Sequence, residues 1–169
     1  MPRLRPSGGE EQEREPRWPG RRGPSATARC ERTMPVGSDE LWKVIEDPHH
    51  MPRWWPGVAR MEGVEGDRFT QVFVTRRGRP VRVDFHVVAS ERLWRRAWSQ
   101  DIAGTPFERF LREAVTEIAL EPVSGGTRVV LVERQKLRGY SRTGGFLVRR
   151  ARRQKLAEAL ENLERITTS

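Results

Sequence analysis

The periodicity of the apolar side chains changes along this chain, and that change limits what the chain can fold into. From Val58 to about Leu137 they tend to recur at every second residue. From about Gly145 to Ile166 they recur at three and four. In residues 80–89, Val81, Val83, Phe85 and Val87 alternate with Arg82, Asp84, His86 and Val88, the pattern of an antiparallel strand with one dry face. Residues 68–75 turn back onto that run at Gly78. Residues 93–102 make a further strand, ended by Gly104-Thr105-Pro106, and residues 110–121 and 127–137 make a last pair joined through Pro122 to Gly126. In the final segment Leu156, Leu160 and Leu163 lie at i, i+4 and i+7 with Ala159 and Ile166 beside them, one apolar stripe on a long helix.

The N-terminal part adds three short elements. Residues 26–33 read as a first strand. A helix follows through Leu41, Trp42, Val44 and Ile45, with Ser38 or Asp39 as its cap, and Asp47-Pro48 ends it because the residue before proline is pushed out of the helical region. A second short helix is expected over residues 49–55, stopping at Pro56-Gly57. The expected fold is therefore α+β: a curved antiparallel β-sheet wrapped around a long C-terminal helix, with two short helices after the first strand. One amphipathic helix covers only part of such a sheet's dry face, so a cavity should remain between them. The first 25 residues, rich in Arg, Pro, Gly and Glu, are expected to be a disordered tail, since they hold too little apolar surface to offset the entropy of ordering. Residues 26–169 are expected to form one domain.

Several function classes fall away. No apolar run approaches the roughly 20 residues that span a bilayer, and the first residues lack the apolar core of a secretory signal, so a cytoplasmic location is expected. Cys30 is the single cysteine, which leaves no intramolecular disulfide and no multi-cysteine zinc site. His49 and His50 are adjacent and have no partner four residues on, so no metal is expected, and no phosphate-binding glycine loop or nucleophile elbow occurs. No cofactor is implied.

The order of these elements carries a resemblance. Asp39-x-x-Trp42-x-x-x-x-Asp47-Pro48 followed by Pro52-Arg53-Trp54-Trp55-Pro56 resembles the helical hairpin of the SRPBCC superfamily, the START/Bet v 1-like group that includes polyketide cyclase/dehydrase and lipid-transport proteins. The Leu120-Glu121-Pro122-x-x-Gly125-Gly126-Thr127 turn is similar to its penultimate hairpin, and Gly144-Gly145 with the helix ending at Ile166 to its closing helix. The resemblance spans residues 26 to 166. It implies a helix-grip fold around a hydrophobic pocket and does not fix one activity, because carriers, sensors, cyclases and hydroxylase subunits share the fold.

Within that frame the residues expected to line the cavity are Trp54, Trp55, Phe73, Val83, Phe85, Trp98 and Val148, which would suit a lipid, a polyketide or another aromatic compound. Trp42, at helical spacing with Ile45, reads as core. Trp94, Arg96 and Trp98 are expected on one face of a strand. If that face looks inward, Arg96 becomes a polar anchor that wants a carboxylate or an acidic ligand; if outward, it is a solvated side chain between rings. Asp84 and His86 read as a solvent-facing row, and Cys30 as a small buried or half-buried side chain.

The charge is local. The formal net charge is +9, and the window from Arg134 to Ala157 alone holds nine basic residues and no acidic one. Within it Arg149, Arg150, Arg152, Arg153 and Lys155 are expected to form a basic patch on the closing helix. A solvated face, an anionic membrane surface or an acidic partner protein all fit such a run. Nucleic acid is disfavoured, because no nucleic-acid-binding motif accompanies the charge. Three functions remain: binding of a hydrophobic or amphipathic small molecule as carrier or sensor, a polyketide cyclase/dehydrase-type enzyme, and an interaction module that uses the basic helix.

Overall fold

The computed structural model describes residues 25–138 and 145–169, with side chains along the last helix from residue 149. Residues 1–24 of the expected 25-residue tail, the glycine at 144 and the side chain of Val148 lie outside the described residues, and Ser25 already belongs to the first strand. Seven strands form one antiparallel sheet: β1 (Ser25–Met34), β2 (Val58–Glu65), β3 (Arg68–Val74), β4 (Pro80–Glu91), β5 (Arg95–Gln100), β6 (Leu111–Val123) and β7 (Gly126–Leu137). Their order across the sheet is β1-β7-β6-β5-β4-β3-β2, so the first two strands in the chain form its opposite edges. Between them run α1 (Ser38–Ile45), a 3-10 turn (Pro48–His50) and α2 (Met51–Trp54), and the chain closes with α3 (Gly145–Thr167).

The apolar stripe of α3 drives its docking. Leu156, Ala159, Leu160 and Leu163 are all buried, and they meet Ala28, Met34, Val129 and Leu131 of the sheet together with Trp42, Ile45 and Trp54 of the short helices. This end of the molecule is solid. Trp42 belongs to it, as its spacing with Ile45 implies. The hairpin between β6 and β7 packs just as closely. A Cβ added to Gly126 would overlap the backbone carbonyl oxygen of Met34, so only glycine fits where the turn crosses the end of β1.

Three local expectations are corrected. Gly37, and neither Ser38 nor Asp39, precedes the first turn of α1, without a side-chain cap. Ser38 Oγ instead lies 3.1 Å from Thr127 Oγ1, tying the helix to β7. The second helix divides, with Asp47 Oδ1 accepting from the His49 backbone N–H to cap the 3-10 turn before α2 begins. The strand expected over 93–102 starts only at Arg95, because Leu93 takes φ +64° in the turn after β4. Trp94 is consequently 56% exposed and does not share the face of Trp98.

Candidate functional site

Strand register decides where the sheet is filled and where it is hollow. Trp98 of β5 faces Thr116 of β6, which faces Glu133 of β7, and one step toward the open end Ala114 faces Gln135. In the opposite direction Ile118 is paired with Leu131, and both are buried in the solid core. Apolar rows are thus closed by the leucines of α3, whereas the row of Thr116 and Glu133 and the row beyond it border empty space. The result is a cavity of about 440 Å³, within the range of roughly 300–1,000 Å³ usual for small-molecule sites.

One wall is aromatic. Trp55, at the end of α2, meets Trp98 edge to face with ring centres 5.7 Å apart, and Phe85 stacks on Phe69 at 5.6 Å. Phe73, Val81 and Val83 continue the surface along β3 and β4, and Phe107, Leu111 and Ala114 face it from the other side.

The remaining wall is polar. Gln71, Gln100, Thr116, Glu133, Gln135 and Lys155 all reach the cavity. Gln71 Nε2 lies 3.2 Å from Met51 Sδ, and Glu133 Oε1 accepts from Gln135 Nε2 at 3.2 Å. Gln100 Nε2 and Glu133 Oε2 are buried without a hydrogen-bond partner. The Lys155 ammonium lies 4.9 Å from the centre of the Trp55 ring and 5.9 Å from that of Phe73. Burial pulls its pKa below the ordinary lysine value; Glu133 opposes that fall and Arg152 adds to it. Arg152 donates to Gln135 Oε1 from outside the cavity, and burial lowers its pKa also, with Glu133 opposing.

Of the residues expected to line the cavity, Trp55, Phe73, Val83, Phe85 and Trp98 are brought together around it. Trp54 is not: it is buried in the core behind Trp55, edge to face at 5.4 Å. Arg96 is buried on the same inward face as Trp98 but does not line the cavity. It donates to Ser90 Oγ at 3.2 Å, and burial lowers its pKa against the attraction of Glu46, Asp67 and Asp47. Its side-chain hydrogen bond thus goes to β4, and it stands outside the wall of this cavity.

The basic patch also needs correction. Lys155 turns into the cavity because it lies four residues before Ala159, on the buried stripe, and Arg152 leans over β7 to Gln135. Arg149, Arg150 and Arg153 border an open groove between α3 and β1 that also carries Glu31 and Glu161. Arg134 and Lys136, basic neighbours in sequence, pair across the sheet with Glu117 and Glu113, and Arg138 pairs with Glu108 in the 3-10 turn Pro106–Arg109. Charges contiguous along the chain are thus divided among three surroundings. Asp84 and His86 do face outward, accepting from Thr70 and meeting Asp101 respectively, and Cys30 Sγ lies 3.3 Å from the Arg153 carbonyl oxygen. Among the described residues, no cluster of His, Cys, Asp and Glu could hold a metal, and no helix is long and apolar enough to cross a membrane.

Solved structures share this fold. That of Ara h 8.0201 is similar with a TM-score of 0.66 at 18% identity, covering 86% of this chain and 99% of that one. The di-domain ARO/CYC StfQ from the steffimycin biosynthetic pathway gives a TM-score of 0.69 at 13% identity, covering 85% of this chain and 51% of the larger protein. TTHA0849 from Thermus thermophilus gives 0.64 at 23% identity, covering 84% and 97%. These likenesses establish the Bet v 1-like fold. No curated protein matches the chain in sequence. The family model described as polyketide cyclase / dehydrase and lipid transport matches residues 25–166. On that match and that fold, the chain belongs to the polyketide cyclase/dehydrase and lipid-transport family of the SRPBCC superfamily.

Proposed function

We propose that the protein binds a hydrophobic or amphipathic small molecule, a lipid, polyketide or other aromatic compound, inside the cavity beneath α3 and acts as its carrier or sensor in the cytoplasm. The observation that carries this reading is the cavity itself: about 440 Å³ of space walled by Trp55, Phe73, Phe85 and Trp98 in a molecule whose other end is tightly filled. Apolar rings that border empty space are what a hydrophobic guest requires. Native mass spectrometry of protein purified from its own host tests it. A co-purifying apolar or amphipathic adduct, lost in Trp98→Ala, is the expected result. Repeated absence of any adduct would favour the interaction reading instead, although that reading is weakened by Lys155 and Arg152 turning away from the basic patch.

A cyclase/dehydrase-type enzyme is the second reading, favoured by Glu133, Thr116 and Lys155 standing in the same cavity as the rings. Such a site could fold a reactive chain, exclude water and move a proton at the Glu133 carboxylate. Consumption of a polyketide-type chain that stops in Glu133→Gln while binding persists distinguishes this reading from the carrier.

A further inference from the structure

We infer that the Lys155 end of the cavity is an anion subsite, and that the ligand is an amphipathic monoanion, an aromatic or aliphatic acid whose charged oxygens sit at Lys155 while its apolar body lies against Trp55, Phe73 and Trp98. This rests on the cavity being the ligand site.

The argument begins with charge balance. Among the described residues the charged groups that act on the Lys155 ammonium are Glu133 and Arg152, so that with Lys155 itself two cations stand against one carboxylate. One positive charge is therefore left at a partly desolvated site, which is costly unless an anion balances it. Among the described residues Lys155 has no salt bridge or hydrogen bond, and the faces of Trp55 and Phe73 lie beside its ammonium. Ring faces attract a cation but supply no acceptor for its three N–H bonds.

Two further donors are unused. Gln100, a lining residue, and Arg152, outside the lining, each bury one donor, Nε2 and Nη1, without a partner. Buried polar groups are normally satisfied, so an ammonium without an acceptor on the cavity wall, with Gln100 on the same wall, marks the place of an absent acceptor. A carboxylate or sulfonate offers several lone pairs and one charge, which matches what is missing. The Glu133 carboxylate, which lines the cavity and has one oxygen without a partner, favours a guest with a single negative charge and can take a hydrogen bond from a hydroxyl on it. A neutral hydrocarbon would fill the aromatic part and leave every one of these groups unpaired.

Two fluorescent probes separate the terms. 1-Anilinonaphthalene-8-sulfonate and uncharged N-phenyl-1-naphthylamine differ only in the sulfonate, and mutual displacement will show whether they share the cavity. The wild-type protein should bind the sulfonate more tightly. Lys155→Met, which keeps the length of the apolar stem, should weaken it about tenfold or more, the usual loss for a charge-assisted hydrogen bond, and leave the neutral probe within twofold. Glu133→Gln should tighten the sulfonate and leave the neutral probe unchanged, and it serves independently should Lys155→Met not fold. The inference is overturned if Lys155→Met moves both probes equally or neither, or if Glu133→Gln weakens the sulfonate. If neither probe binds the wild-type protein, the cavity reading itself fails and this inference with it.

Discussion

Leu163→Ala measures whether one end of the molecule is solid and the other hollow. Leu163 is fully buried in the core shared by α3, the sheet and the short helices. The substitution removes three carbons, about 2.4 kcal/mol at roughly 0.8 kcal/mol per buried methylene. The vacated space is walled by well-packed neighbours, which raises the loss to about 3–4 kcal/mol. For a domain of this size that lowers the midpoint of thermal unfolding by about 10 °C. Phe73→Ala provides the contrast. Phe73 is only half-buried and already borders the cavity, so its removal enlarges an existing hollow and should cost less than about 2 kcal/mol, although a fully buried phenylalanine costs more. Urea unfolding followed by tryptophan fluorescence reads both, with the slope checked for constancy so that midpoints convert to free energies. A loss below about 1 kcal/mol for Leu163→Ala, or equal losses for the two variants, would refute the division into filled and empty halves.

Other outcomes follow from single sites. Gly126→Ala should prevent the β6–β7 hairpin from seating against Met34, seen as a large loss of soluble, cooperatively unfolding protein. Trp94→Ala should change stability by less than about 0.5 kcal/mol in the same urea assay, because the ring is mostly in water. Reductive methylation followed by NMR titration of the three lysines should find Lys155 below the ordinary lysine value, through burial, and Lys43 above it, through its hydrogen bond to Glu40. Because the folded value of Lys155 is depressed, its contribution favours the fold above the unfolded pKa of about 10.4 and is lost as pH falls through the folded value. Asp47→Ala should cost about 0.5–1 kcal/mol near neutral pH by uncapping the 3-10 turn. Burial pushes the Asp47 carboxyl up, and the hydrogen bonds from His49 more than undo that, so its folded value is lowered. The difference between variant and wild type should therefore narrow in acid, as pH falls from about 3.9 through that value.

Alternation and helical spacing make the strands and the closing helix legible, since β4 and α3 each bury the side that their period marks. Trp94 escapes the pattern because periodicity says nothing about where a strand starts, and the left-handed turn at Leu93 decides it. The polar wall is harder to read. Thr127, Val129, Leu131, Glu133 and Gln135 form one inward row, and the change from apolar to polar along it is visible in the chain, but adjacent Val130 and Val132 hide the alternation. Lys155 carries a signal too, four residues before Ala159. It is masked by the arginines around it, which invite a reading by charge rather than by face. Which of two tryptophans in a row borders empty space depends on tertiary packing, and no local pattern distinguishes Trp54 from Trp55.

The strand order bears on how the protein is made. β1 is made before the other strands of the sheet, yet the residues it pairs with, from Thr127 to Lys136, are made after all of them. Until then the opening strand has no edge to join, while the hairpins from β2 to β5 can already zip together as near neighbours. A nascent chain stalled before β7 would carry a free N-terminal strand and a sheet with no helix on its dry face, the kind of exposed edge and apolar surface that aggregates. Closure is therefore a late, long-range event, and a truncation that removes β7 and α3 should leave the remaining strands unable to complete any part of the core that involves β1.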